Sequence, residues 1–346
     1  MRHGMDLIAS CRGERMGVKR GHHFLSRCYL KGFGQRQGEA VLMVGFELAT
    51  GRTFPASTRD VGKVTDFNRI DLPNIGRNDL EDAIAKFEDV LGPVLMRIIE
   101  NGGFENEDQL VIVLNFMAHL LARNPRRRRR HDQYINERGS IMLRADTSSP
   151  EQFERMMAKA RVDGVFGDDE PTYEEMRDLA YDHEAKIGLD QNWMIDFELN
   201  HFRPMLDLLA QRKWMLCRAA DDAGIFITSD HPVCGIWHDA RKAHQLVQPD
   251  IAMENTVVIF PVSSKLAMIG TWDEAALPPP ISDRHRTSVT NQVVLGCADK
   301  QVYAQSTDFY YRSLFTGQIT RGDQLEAELK RAAALRAASE GTGPAS

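Results

Sequence analysis

Cysteine is scarce in this 346-residue sequence, and its five cysteines are scattered. No two of them form a CxxC pair. An odd number of cysteines without close spacing argues against a disulfide framework and against a zinc ribbon. The simplest compartment for such a chain is a reducing cytoplasm.

Long apolar runs and an excess of basic residues are also missing. The most apolar segment, residues 110–122, contains Asn115 and His119 and is too short to span a bilayer. The apolar run before Cys11 is short and is interrupted by Asp6, which argues against a signal peptide. A net charge of -6 argues against a generally basic surface that coats nucleic acid, but it permits a local basic groove. We therefore expect no membrane association, and the oligomeric state stays open.

The apolar periodicity predicts an α+β fold with one large domain at residues 21–320. A helical layer at residues 79–210 is expected to pack on a single, mostly antiparallel sheet, because strands and helices do not alternate regularly along the chain. The segments predicted to form this sheet are residues 40–55, 213–233, 255–270 and 301–305.

The ends and one internal segment are predicted to lie outside this core. Residues 1–20 are predicted to be a flexible N-terminus, and residues 321–346 a helix followed by a disordered tail. Residues 139–190 are polar, and their helical pattern predicts peripheral helices.

Two local predictions concern element boundaries and strand pairing. Asp79 is predicted to cap a helix that runs from Leu80 to about Ile99 and ends at the glycines that follow. Residues 213–218 and 225–228 are predicted to pair as an antiparallel hairpin, because a turn of two aspartates, alanine and glycine separates them.

The segment Thr228-Ser229-Asp230-His231-Pro232 follows a run typical of a buried strand. A rigid strand end can hold polar side chains in fixed directions. Asp230 is therefore a candidate general base or metal ligand. The structural alternative is that Asp230 bonds the backbone of a turn before the proline, a role that asparagine would fill equally well.

Three further groups of polar residues could carry chemistry. The adjacent His22 and His23 offer a metal ligand or a general base, or else a helix cap and a surface side chain. Glu81 and Glu88 lean toward the apolar stripe of one helix and so need partners. Arg123 at the end of the next helix is the predicted partner, and His119 shares its helix edge.

A run of arginines, Arg126–Arg130, is followed by His131. Such a run is usually a solvated helix face, but it can also bind phosphates. Arg126 and His131 also match the loose Arg-x(4–6)-His pattern of HEPN-type ribonucleases, which would require a helical dimer. The many strands predicted in the C-terminal half argue against that fold.

Several short motifs occur in an order that resembles the bacterial family DUF4238. The motifs that carry the resemblance are His22-His23-Phe-Leu-x-x-x-Tyr29-Leu30-x-Gly32-Phe33, Glu81…Glu88, Arg123-x-Pro125, Thr228-Ser229-Asp230-x-Pro232, Phe260-Pro261, and Asn291 with the segment to Tyr303. They span most of residues 21–305. Two positions depart from the family pattern: His231 stands where the family generally has asparagine, and Val262 where it has leucine. The resemblance implies a fold family and no established activity.

Two functional hypotheses follow from these residues. The first is a metal-dependent hydrolase that acts on a phosphodiester, as a nuclease does, using Mg²⁺, Mn²⁺ or Zn²⁺. Its predicted catalytic residues are Asp230, His23 and Glu88, its metal ligands His22, Glu81 and Asp230, and its substrate-binding residues Arg123, Arg126, Arg127 and Asn291. Nucleic acid would bind along Arg126–Arg130. The second hypothesis is a non-catalytic sensor or partner-binding protein, in which the same polar residues form a buried structural network.

Overall fold

The computed structural model describes residues 20–165, 170–182, 188, 190–239 and 249–340. The chain divides into two compact units, the first up to Asn124 and from Ile195 onward, and the second at Pro125–Met194. The predicted flexible N-terminus, apart from Arg20, and the predicted disordered tail at residues 341–346 lie outside the described residues.

Helices make up most of the chain between residues 79 and 210, as the periodicity predicts. The helices are α1 (Arg27–Leu30), α2 (Asp79–Asn101), α3 (Glu107–Ala122), α4 (Pro125–Asp146), α5 (Pro150–Val162), α6 (Tyr173–Tyr181), α7 (Gln191–Ala210), α8 (Arg284–Cys297) and α9 (Leu325–Glu340). Within the described ranges, none of them combines the length and the apolar character needed to cross a bilayer.

The strands all lie in the first unit. They are β1 (Gly21–His23), β2 (Gln35–Gln37), β3 (Ala40–Glu47), β4 (Thr53–Ser57), β5 (Lys63–Thr65), β6 (Lys213–Ala219), β7 (Thr228–Ser229), β8 (Cys234–Trp237), β9 (Thr256–Pro261), β10 (Leu266–Thr271), β11 (Ile281–Ser282), β12 (Gln301–Ala304), β13 (Tyr310–Arg312) and β14 (Ile319–Arg321).

These strands form two five-stranded sheets and two short pairs. One sheet has the order β11-β6-β10-β9-β8, and the other has the order β2-β3-β12-β7, with β4 also paired to β3. The remaining pairs are β1 with β5 and β13 with β14. Apart from β11 with β6, the pairings are antiparallel. The α+β class is confirmed, but the prediction of a single sheet is wrong: segment 301–305 pairs with 40–47 in a second sheet.

Strand β9 contributes to two hydrophobic cores, one on each face of its sheet. Val258 and Phe260 pack in the core that also contains the apolar faces of α2 and α3. Ile259, between them, packs in the core that contains α8 and β12. Side chains alternate across a strand, so consecutive residues point to opposite faces. Because both faces of β9 are buried, its sequence is apolar at consecutive positions and not only at alternate ones.

The predicted hairpin of residues 213–218 with 225–228 is wrong. Strand β6 pairs with β10 and β11 instead, and only Thr228–Ser229 forms a strand, with β12 as its partner. Ile225–Ile227 is buried without belonging to a sheet. The side chain of Asn291 bonds the backbone of Ile225 and Ile227, and the N–H of Phe226 donates to the carbonyl of Ser264 at 2.8 Å. An apolar, β-branched sequence therefore does not require a strand partner here.

Helix α2 begins at Asp79, so the prediction that Asp79 caps it is wrong. The N-cap residue is Asn78, and the carboxylate of Asp79 accepts a hydrogen bond from the backbone N–H of Gly76 at 2.8 Å. The helix ends at Gly102, as predicted, whose φ of 66° lies in the left-handed region that favours glycine. Pro93 lies inside the helix.

Tyr29 joins distant parts of the first unit. Its buried hydroxyl lies 2.7 Å from Thr228 Oγ1 and donates to the carbonyl of Pro261 at 2.9 Å. Its ring stacks on Phe260, with the ring centroids 5.3 Å apart. The first turn of helix after the N-terminal strand is therefore fixed against β7 and β9.

The described part of the second unit consists of helices, as predicted for residues 139–190. Helix α6 begins with a capping box, in which Thr172 and Glu175 bond each other's backbone N–H groups. Helix α5 has Ser149 as its N-cap, whose hydroxyl accepts from the N–H of Gln152. Helix α4 contains the arginine run.

Candidate functional site

Asp230 follows β7 and is buried, with 6% of its surface exposed. Its carboxylate accepts hydrogen bonds from three backbone N–H groups, two in the α8–β12 connection and one at the start of β12: Asp299 at 2.8 Å, Lys300 at 2.7 Å and Gln301 at 3.1 Å. Burial raises the pKa of Asp230, and these N–H groups oppose that change. These contacts give the carboxylate a structural role that differs from the predicted one, because it bonds a distant segment and not the turn before Pro232, where Ser229 accepts from the N–H of His231.

Asn291, a predicted substrate-binding residue, is fully buried in α8. Its side-chain oxygen accepts from the N–H of Ile227 at 3.0 Å, and its amide group donates to the carbonyls of Ile225 at 2.9 Å and Tyr310 at 2.8 Å. The side chain thus supplies the bonds that a neighbouring strand would otherwise make to Ile225–Ile227. This geometry gives Asn291 a structural role.

Asn68 connects two residues that the sequence analysis proposed as metal ligands. Its backbone N–H donates to Nδ1 of His22 at 2.8 Å, and its side-chain amide donates to the carboxylate of Glu81. Asn68 and His22 are both fully buried. Because buried polar groups are costly unless they are bonded, these contacts stabilise all three residues.

Arg123 completes this network at the C-terminal end of α3. Its guanidinium donates to the side-chain oxygen of Asn68 and to Nε2 of His119, and it lies over the ring of Phe67, 5.6 Å from the centroid. Only 3% of Arg123 is exposed. The Asn68 amide thus places its oxygen against a cation and its NH₂ group against the Glu81 carboxylate. The predicted direct pairing of Arg123 with Glu81 or Glu88 is therefore wrong among the described residues: Arg123 and Glu81 bond the two ends of the same Asn68 amide.

The hydrogen bond from Arg123 requires the neutral form of His119, because a protonated imidazole has no acceptor nitrogen. Burial lowers the pKa of His119 well below its usual range, and the positive charge of Arg123 lowers it further. A neutral imidazole carries one proton and has one acceptor nitrogen. His119 therefore accepts from Arg123 and keeps a donor for another partner.

Among the described residues, Glu88 and His23, both predicted to be catalytic, form no hydrogen bond with the members of this network. Glu88 lines a groove of about 860 Å³ together with Cys28 and Lys31. Burial raises the pKa of Glu88, and the nearby charge of Glu81 raises it further. His23 lies in β1 opposite Lys63, and burial lowers its pKa, as do the charges of Arg27 and Lys63.

A second cavity, which we call the α2/α3/α7 pocket, borders the network. It has a volume of about 520 Å³, and most of its lining is apolar, contributed by residues such as Ile84, Phe87 and Phe202. Its polar lining includes His119, Arg123 and the buried Glu198. A largely apolar cavity of this size with a few converging polar groups is typical of a small-molecule site.

In the described part of the chain, no three His, Cys, Asp or Glu side chains form a group that could hold a metal ion. The proposed ligands His22 and Glu81 meet through Asn68, whereas the Asp230 carboxylate is bonded to a different loop. The structure therefore brings two of the three proposed ligands together, in a hydrogen-bonded arrangement.

Arg126 and Arg127 lie in the first turn of α4, in the second unit. Nε of Arg127 donates to Nε2 of His131 across one helical turn, at 3.5 Å. The five arginines are spread around the helix, since consecutive helical residues point in different directions. Their proposed contact with nucleic acid stays a prediction.

Sequence reasoning missed Asn68 and Glu198. Asn68 lies in a segment without clear periodicity, and a single asparagine there carries no visible signal. His119 and Arg123 do have a signal, their spacing of four residues on one helix edge, which brings their side chains together as expected.

No curated protein and no solved structure matches the chain. A family model described as "Protein of unknown function (DUF4238)" matches residues 21–308. This range includes the polar network, Asp230, Asn291 and every residue that lines the α2/α3/α7 pocket. The chain therefore belongs to the DUF4238 family.

Proposed function

We propose that the protein is a non-catalytic sensor that binds a small molecule in the α2/α3/α7 pocket. One observation carries this proposal: the buried polar residues bond one another, and the same network reaches the lining of a mostly apolar cavity through His119 and Arg123. Residues held by mutual hydrogen bonds give a rigid, preformed site. Such a site favours binding, because little order must be created when the ligand enters.

A pair of matched variants tests this proposal. Ala83 lines the α2/α3/α7 pocket, whereas Ala85, two residues along the same helix, lines the groove beside Glu88. The two positions point to opposite sides because they differ by about 200° around the helix axis. Ala83→Trp should fill the pocket, and Ala85→Trp adds the same side chain elsewhere.

The measurement is a thermal-shift screen of a small-molecule collection against the wild type and both variants. A ligand present at 100 times its Kd stabilises the folded state by about 2.7 kcal/mol. We expect ligands that raise the Tm of the wild type and of Ala85→Trp but not of Ala83→Trp. The proposal fails if no compound behaves in this way.

The metal-dependent hydrolase hypothesis makes a different claim. It requires a divalent metal bound in stoichiometric amount, with His22, Glu81 and Asp230 as its ligands. Elemental analysis of protein purified without a histidine tag measures this directly. A bound metal that is lost in Asp230→Asn would support the hydrolase over the sensor.

A further inference from the structure

The tautomer of His119 follows from its partner. An arginine guanidinium has donors and no acceptor. Nε2 of His119 must therefore accept the hydrogen bond from Arg123. In the neutral ring the proton then resides on Nδ1, which makes Nδ1–H a donor.

His119 lines the α2/α3/α7 pocket. Among the described residues, Nδ1 of His119 has no hydrogen-bond partner, and the atom is not fully buried. The Nδ1–H donor is therefore available to a molecule in this pocket. A ligand oxygen that accepts from Nδ1–H would satisfy it.

The charges around the pocket do not favour an anion. Arg123 already donates to Asn68 and to His119, and the Glu81 carboxylate lies on the other side of the Asn68 amide. Arg203, the other arginine of the lining, forms an ion pair with Asp207 at 2.9 Å. Glu198 adds a carboxylate to the lining. An anionic ligand would lose its hydration without gaining an unmatched cation.

We propose that the pocket binds an uncharged, largely apolar molecule whose carbonyl-type oxygen accepts a hydrogen bond from Nδ1 of His119. The apolar walls supply most of the binding surface, and the single donor fixes the orientation of the ligand. This inference rests on the proposed function, because it names the ligand class of the same pocket.

Three probes of similar shape separate the effect of the ligand's oxygen from the effect of its charge. Benzophenone is uncharged and has a carbonyl oxygen, diphenylmethane lacks the oxygen, and diphenylacetate carries a negative charge. Titration of each probe into the full-length protein gives its affinity. We expect benzophenone to bind about tenfold more tightly than either of the others, which is the value of one neutral hydrogen bond. Light-activated benzophenone should also crosslink to residues of the pocket, with Leu199 and Phe202 as candidates.

His119→Phe removes the donor and keeps a ring of similar size. In this variant benzophenone should bind only as tightly as diphenylmethane, whose affinity should not change. Because the substitution also removes an acceptor from Arg123, the variant could fail to fold. A second measurement therefore uses the wild type: ring ¹⁵N–¹H NMR should show the His119 proton on Nδ1, with a resonance that shifts on addition of benzophenone and not of diphenylmethane.

Several results would overturn the inference. Equal affinity for benzophenone and diphenylmethane, tighter binding of diphenylacetate, binding of none of the three, or a proton on Nε2 would each do so. The proposed function is judged separately by the screen with Ala83→Trp. Compounds that lose their effect in that variant would preserve small-molecule binding even if the ligand class is wrong.

Discussion

Replacement of Asp230 by asparagine should destabilise the protein, although it changes only one atom of the side chain. Both carboxylate oxygens accept backbone hydrogen bonds, one from Asp299 and the other from Lys300 and Gln301. Asparagine has one side-chain oxygen, so its NH₂ group would face at least one N–H donor. From sequence alone, asparagine was expected to hold the turn equally well; the geometry changes that expectation.

The magnitude follows from the bonds that are lost. A hydrogen bond to a charged group contributes about 1.5–3 kcal/mol, and a buried donor left without a partner costs about 1–3 kcal/mol. Removal of the buried charge offsets part of this loss, because burial already raises the pKa of Asp230. We therefore expect Asp230→Asn to lower the free energy of unfolding by about 2 kcal/mol, and Asp230→Ala, which leaves all three donors, by about 4 kcal/mol.

Urea unfolding followed by circular dichroism measures both variants against the wild type. Ser229→Ala is a suitable control at the neighbouring position, since it removes the hydroxyl that accepts from the N–H of His231 and leaves the Asp230 bonds in place. Equal stability of Asp230→Asn and the wild type would refute the role of the carboxylate in this turn. A loss of metal binding or activity at unchanged stability would instead support a functional role.

Three other predictions follow from the network and the grooves. Arg123→Ala should lower the free energy of unfolding by about 3 kcal/mol, because the buried acceptors of Asn68 and His119 lose their charged donor; an unchanged Tm would mean that Arg123 is available to substrate. Glu88→Gln should stabilise the protein at pH 7 but not at pH 4. Because the pKa of Glu88 is raised in the folded protein, its ionised form lowers the free energy of unfolding above that pKa, and this cost disappears as the pH falls toward the pKa of the unfolded chain. Urea unfolding at pH 7 and at pH 4 measures the effect, and an equal difference in stability between variant and wild type at both pH values would contradict a raised pKa. Asn291→Ala should lower the free energy of unfolding by about 3 kcal/mol, because buried backbone groups on two segments lose their partner. If the variant is as stable as the wild type in urea unfolding, water must replace the amide.

The sequence predicts the elements whose stabilising contacts are repeated and local. The apolar stripes of α2 and α3 follow directly from periodicity, and residues 255–270 do form two paired antiparallel strands, in line with their predicted place in a sheet. The Ile225–Ile227 segment has a strand-like composition, but its partners are side-chain groups of Asn291 far along the chain. Periodicity carries no information about such a partner.

The candidate site was less predictable because its central residue is not marked by any pattern. Asn68 bonds residues 46, 13 and 55 positions away: His22, Glu81 and Arg123. The helix periodicity correctly predicts that Glu81 and Arg123 need partners, yet it cannot name an asparagine from a loop. The cavity beside them depends on how three helices pack, which is a property of the tertiary structure alone.

The contacts of Tyr29 have a consequence for synthesis on the ribosome. Its hydroxyl partners lie 199 and 232 residues further along the chain, and β3 pairs with β12. The first unit therefore cannot close until the chain has emerged through β12, whereas the described helices of the second unit, with local contacts, can fold earlier. A nascent chain arrested at residue 250 should hold Tyr29 in a protease-sensitive state, and release of the 346-residue chain should protect it.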